Sequence, residues 1–112
     1  MSSLRQNKVA RLIQKEIGEI FQKDELMLFS GTMVSVTVVR VSPDLSFAKV
    51  YISVFGKSEP NEVLDSIKNN LGQIRKILGN KVRNQLRKVP ELAFYNDDSI
   101  DYAEEIESLL KK

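Results

Sequence analysis

Seven basic side chains lie between Ser66 and Pro90 (Lys68, Arg75, Lys76, Lys81, Arg83, Arg87 and Lys88), and no acid interrupts them. The balance reverses from Glu91 to Leu110, where seven acids (Glu91, Asp97, Asp98, Asp101, Glu104, Glu105 and Glu107) occur without a base. A formal net charge of +2 conceals this separation. Binding responds to local field rather than to the sum, so a surface of one sign is suited to a polyanion, most commonly a phosphate backbone. The bland alternative is a solvated helix face. Such faces, however, usually mix signs and gain from i,i+4 ion pairs, whereas cations without counter-charge repel one another until a partner relieves them.

Other chemistries are poorly supplied. The chain has no Cys and no His, which removes disulfides, thiolate metal sites, the usual metal-ligating imidazole and the usual general base. The acids of 97–107 match no EF-hand spacing, and no constellation of acids and lysines points to a reaction. We therefore expect no enzyme activity, cofactor or metal. Phe47, Tyr51 and Phe55 share one side of a strand and could stack bases, but the glycines of the RNP1 pattern are missing. Covering the sheet, or packing under a last helix, is their expected role.

The elements that must position these residues follow from periodicity. At 112 residues, 42% apolar and 29% charged, the chain reads as one globular domain spanning 1–112. Ser3-Leu4-Arg5-Gln6 forms a capping box. Val9, Leu12, Ile13, Ile17, Ile20 and Phe21 then recur at helical spacing, which predicts a helix over 3–23 with Lys8, Arg11 and Lys15 on one stripe of its other side. Residues 33–39 alternate and are β-branched, a strand by pattern and propensity. Ser42-Pro43-Asp44-Leu45-Ser46 supplies turn chemistry. A second strand over 47–55 completes an antiparallel hairpin, with Ala48, Val50, Ile52 and Val54 on one face and Phe47, Lys49, Tyr51, Ser53 and Phe55 on the other.

Pro60 suits the first turn of a helix, and apolar residues from Val63 to Val89 keep helical phase. A straight helix of that length would be roughly 40 Å long, too long for so small a core. Asn69-Asn70-Leu71-Gly72 holds three weak helix formers and is the expected bend. Pro90 stops the second arm, a short strand follows over 91–95, and Asp97-Asp98-Ser99 can cap a last helix carrying Ala103, Ile106, Leu109 and Leu110. Residues 91–112 thus contain the last strand and an acidic C-terminal helix. The fold class is α+β, in the order α-β-β-α-kink-α-β-α, with a three-stranded sheet and helices on one face. No run approaches 18 apolar residues and no signal core opens the chain, so a cytoplasmic address and no membrane partner are expected.

On a helical projection of 72–88, Ile74, Ile77, Leu78, Val82 and Leu86 form the core stripe. Lys76, Arg83 and Arg87 lie nearly opposite, beside Gln73, Asn80 and Asn84, and Arg75, Lys81 and Lys88 flank the stripe. The outward face is cations and amides.

Helix–strand–strand–helix–helix–strand is the order of a type II KH domain, a single-stranded RNA-binding architecture. Val41-Ser42-Pro43-Asp44-Leu45-Ser46, followed by Ala48-Lys49-Val50-Tyr51-Ile52-Ser53, is similar to the hairpin signature of the bacterial ribosome-binding factor A family. So are Ile74-Arg75, Leu78-Gly79, Val89-Pro90-Glu91-Leu92-Ala93-Phe94 and Asp98-Ser99-Ile100, and the resemblance runs from Arg5 to Leu110. It implies a non-enzymatic assembly factor that binds the free small (30S) ribosomal subunit through 16S rRNA. Late maturation, 5′-end processing and growth in the cold are the implied roles. It also implies a monomer that meets ribosomal proteins and a release GTPase.

That family lacks the Gly-x-x-Gly clamp of KH proteins and has a kinked Ala-x-Gly segment, which maps onto Asn70-Leu71-Gly72; Asn70 departs from the usual alanine. Gly72 would let an RNA backbone approach without a Cβ in the way, and the following helix N-terminus would offer N–H groups to phosphate. The expected RNA-contact set is Asn70, Gly72, Gln73, Arg75, Lys76, Asn80, Lys81, Arg83, Arg87 and Lys88. Lys8, Arg11 and Lys15 extend it if the first helix lies beside the third. Two rivals are a DNA-binding regulator with a helix-turn-helix over 61–88 and a protein-interaction module that docks its acidic helix.

Overall fold

The computed structural model describes residues 4–24, 26–29 and 31–97. Helix α1 (Leu4–Lys23) buries Val9, Ile13, Ile17, Ile20 and Phe21 of the stripe its spacing predicts, with Gln6 in addition, while Leu12 is half-buried. Ser3 of the capping box and the helix expected after Asp97 lie outside the described residues. Strands β1 (Met33–Val41) and β2 (Phe47–Phe55) pair antiparallel, as a short turn between neighbours requires. Strand β3 (Glu91–Asn96) pairs parallel to β2, giving the order β1-β2-β3. A parallel return needs a crossover of a dozen residues or more, which the two intervening helices supply.

Ala48, Val50 and Ile52 of the central strand are fully buried, and the three helices of the described residues pack on that side of the sheet with Ile13, Ile17, Ile67, Ile74, Leu78 and Val82 at its centre. The β1–β2 register slips between Val36 and Val38. This bulge at Thr37 reverses the alternation: Val34 is buried before it, Val39 and Val41 after it. Along the β1 edge, Gln6 Nε2 donates to the Val41 carbonyl (2.8 Å) and Gln14 Nε2 to the Thr37 carbonyl (3.2 Å).

Helices α2 (Pro60–Asn69) and α3 (Leu71–Val82) meet at Asn70, whose φ of −118° and ψ of 18° break the helix. The bend therefore falls where the weak helix formers place it. The second arm, however, ends at Val82 and not at Val89. Residues 83–90 are irregular, with the N–H groups of Gln85 and Leu86 both donated to the Val82 carbonyl. The reason lies in β3: Glu91 pairs with Phe47 and donates its N–H to the Ser46 carbonyl (2.9 Å). Seven more helical residues would advance the chain by about 10 Å instead of returning it to that turn. Leu86 and Val89 pack on the core from the irregular segment, so their spacing imitates a helix they do not form.

Candidate nucleic-acid interface

No acid occurs in α3. Gln73, Lys76, Asn80 and Lys81 are exposed along it, and Arg83, Asn84, Arg87 and Lys88 are exposed on the segment that follows. The five cations among them take part in no ion pair or hydrogen bond within the described residues. At the kink, a Cβ added to Gly72 would meet nothing within 4 Å, and the first turn of α3 has no side-chain cap. Leading helix N–H groups lack intrahelical acceptors, so this end suits an anion. Lys76, Arg83 and Arg87 are exposed as expected, but only Lys76 stands on the helix; Arg83 caps it and Arg87 lies beyond.

Two residues of the expected contact set are otherwise engaged. Arg75 is half-buried, and its Nη2 donates to the carbonyls of Val89 (3.0 Å) and Pro90 (3.5 Å). Its Nε is buried without a partner among the described residues. Carbonyls in an irregular segment have no ladder to satisfy them, and the guanidinium supplies the donors. Arg75 therefore positions the 83–90 segment against α3. Asn70 donates its side-chain amide to the Ser66 carbonyl (2.8 Å). Where the resemblance implies an alanine, the Asn70 side chain closes the end of α2.

Helix α1 packs beside α3, which meets the condition set for Lys8, Arg11 and Lys15. All three are exposed. Lys8 shares an open groove of about 620 Å³ with Arg5, Arg87, Lys88 and the Asp44–Leu45–Ser46 turn. Lys15 lines a different groove, between α1 and β1, with Gln14 and Gly18. Arg5 is absent from the expected set, although its i,i+3 relation to Lys8 is a usable signal.

A further groove of about 420 Å³ lies between α2 and β3, lined by Asn61, Leu64, Lys68, Leu71, Leu92, Phe94 and Asn96 among others. Only the three-dimensional return of β3 creates it. Lys68 and Leu71 bring this groove to the kink.

Asp44 in the β1–β2 turn is held by its neighbours. Hydrogen bonds from the Ser46 and Ser42 hydroxyls and the Ser46 N–H lower its pKa from 3.8 to about 2. The helix-turn-helix reading fails on geometry: α2 and α3 are joined by the single residue Asn70, not by a turn of three or four residues. Among the described residues no group of acidic side chains could hold a metal ion, and no helix is long and apolar enough to cross a membrane.

Comparison with known proteins agrees with this geometry. The family model for ribosome-binding factor A matches residues 5–110. Ribosome-binding factor A of Cytophaga hutchinsonii is 47% identical over 112 residues, covering all of this chain and 84% of that protein. The Flavobacterium psychrophilum protein of the same name is 45% identical over 111 residues, covering 98% of this chain and 85% of its own length. The crystal structure of ribosome-binding factor A from Thermus thermophilus is similar in fold, with a TM-score of 0.68 at 22% identity, over 81% of this chain and 94% of that one. A homology model of the Thermus thermophilus protein, fitted into a cryo-electron microscopy map of a 30S–RbfA complex, gives a TM-score of 0.60 at 25% identity, over 75% of this chain and 86% of that one. Matched from residue 5 to residue 110 by the family and along its length by these relatives, the chain belongs to the ribosome-binding factor A family.

Proposed function

We propose that this chain, folded as one domain, is a non-enzymatic assembly factor that binds the small ribosomal subunit through 16S rRNA and promotes late maturation and 5′-end processing, with a role in growth in the cold. The carrying observation is the acid-free, outward-facing set of cations, unpaired among the described residues, that begins at the open backbone of Gly72. A ribose-phosphate chain would lie along Lys76, Lys81 and Arg83, with Gln73, Asn80 and Asn84 placed to bond sugar hydroxyls or base edges. Its path would turn past Arg87 and Lys88 toward Lys8, and Arg11 and Lys15 would meet more distant phosphates. The Thermus thermophilus relative fitted into the map of a 30S complex supports the choice of subunit. Ribosomal proteins and a release GTPase are the protein partners this reading includes.

Neutralising about six phosphates makes affinity steeply dependent on salt. Binding of the chain to free small subunits, followed by co-sedimentation, is expected to weaken roughly 10³-fold between 50 and 200 mM salt. A flat response would count against the cationic face.

A further inference from the structure

We propose that the groove bounded by the start of α1, the β1–β2 turn and residues 85–90 receives one unstacked nucleotide of single-stranded RNA, and that Asp44 makes cytosine its preferred base. The inference rests on the RNA-binding reading above and adds to it a position where sequence is read.

Four cations, Arg5, Lys8, Arg87 and Lys88, line this groove of about 620 Å³ together with Asp44. None of the four bonds another described residue. The carboxylate among them makes no ion pair with any of them. Instead its Oδ1 accepts from Ser42 Oγ (2.7 Å), Ser46 Oγ (2.7 Å) and the Ser46 N–H (3.1 Å). All three of these bonds fall on the one oxygen, and no serine donates to Oδ2. The group is ionised at any physiological pH, and these bonds lower its pKa further, to about 2.

A groove meant only for phosphate is weakened by a fixed negative charge at its wall. A groove meant for a nucleotide is not, because the carboxylate offers an acceptor where the phosphates cannot sit. Carboxylates read cytosine by accepting from its N4 amino group. Cytosine sets the N3 and O2 acceptors beside that donor, which suits one free carboxylate oxygen flanked by cations. Uracil places the O4 acceptor where the amino group would be, and the carboxylate repels it. Guanine presents two adjacent donors, and Oδ1 is already occupied. Leu45 and Leu86 also line the groove, and, being only half-buried, they provide apolar surface for the face of the base. Bases become accessible in this way only when unstacked, as in single strands.

The test measures binding of the full chain to oligocytidine and oligouridine RNA of equal length by fluorescence anisotropy. We expect oligocytidine to bind about tenfold more tightly. Asp44→Asn keeps an oxygen to accept the three turn bonds but replaces the free acceptor by an amide. It is expected to remove the cytosine preference while leaving oligouridine binding equal or tighter. Arg5→Ala with Lys8→Ala is expected to weaken both strands several-fold. Equal binding of the two strands by the unaltered chain overturns the cytosine assignment and leaves RNA binding standing. So does an Asp44→Asn variant that weakens both strands alike, since Asp44 would then serve the turn alone. Failure to bind either strand overturns both readings.

Discussion

The helical side of this molecule and the opposite face of its sheet both expose long side chains among the described residues, but for different reasons. On the helical side, burial of Ile74, Leu78 and Val82 turns the remaining positions of α3 outward, and those positions hold amides and cations. On the opposite face, Met33 is 66% exposed, Phe55 65% and Tyr95 39%, and the Tyr51 and Tyr95 rings lie 5.6 Å apart. That aromatic contact follows from register: the parallel pairing that aligns Val50 with Phe94 inside also aligns Tyr51 with Tyr95 outside. An exposed aromatic row can thus arise from strand alternation alone, whereas seven bases without an acid require a run of choices along the chain.

Charge reversal separates the two faces most sharply. Lys76, Arg83 and Arg87 changed together to Glu are expected to lower small-subunit binding more than about 100-fold, with the thermal melt unchanged because none of them packs in the core. Tyr51→Ala with Phe55→Ala is expected to change the same binding by less than about threefold. The opposite ranking would move the interface to the sheet.

A smaller effect separates direct contact from positioning. Arg75→Met leaves the Val89 and Pro90 carbonyls without their donor and is expected to cost about 1–3 kcal/mol in chemical denaturation. Subunit affinity should fall several-fold as the loosened segment displaces Arg87 and Lys88. A loss of affinity as large as that of the triple reversal, without a loss of stability, would instead make Arg75 a direct RNA contact.

The smallest effect is the acid titration of Asp44. Because folding lowers its pKa to about 2 from 3.8, its contribution to stability is present above about pH 4 and is lost as pH falls toward 2. The difference in melting temperature between the unaltered chain and Asp44→Asn should be constant above about pH 4 and shrink below it. An exposed group makes this difference small.

Much of the fold was legible in the chain because burial and periodicity coincide. The apolar residues of α1, the two faces of β2 and the bend at Asn70 follow from local chemistry. The illegible parts depend on what the chain meets later. Leu86 and Val89 keep helical phase but serve an irregular return to Ser46, which no window around them reveals. Thr37 shifts the parity of β1 in a run of β-branched residues where either face would satisfy the pattern. Among the expected contacts, the exposed cations were readable from a missing counter-charge. Arg75 was not, because its acceptors lie 14 and 15 residues away. The groove around Asp44 joins three segments remote in sequence, and spacing alone gives no hint of it.

The glutamine contacts along β1 carry a consequence for self-association. An outer strand of nine residues ordinarily invites another copy to zip onto it. Here the carbonyls of Thr37 and Val41 already receive amide donors from the helix alongside, so an incoming backbone finds two acceptors spent and a helix obstructing its approach. Crowded molecules meeting on that border would have to tear open their own intramolecular clasp before they could stack into fibres.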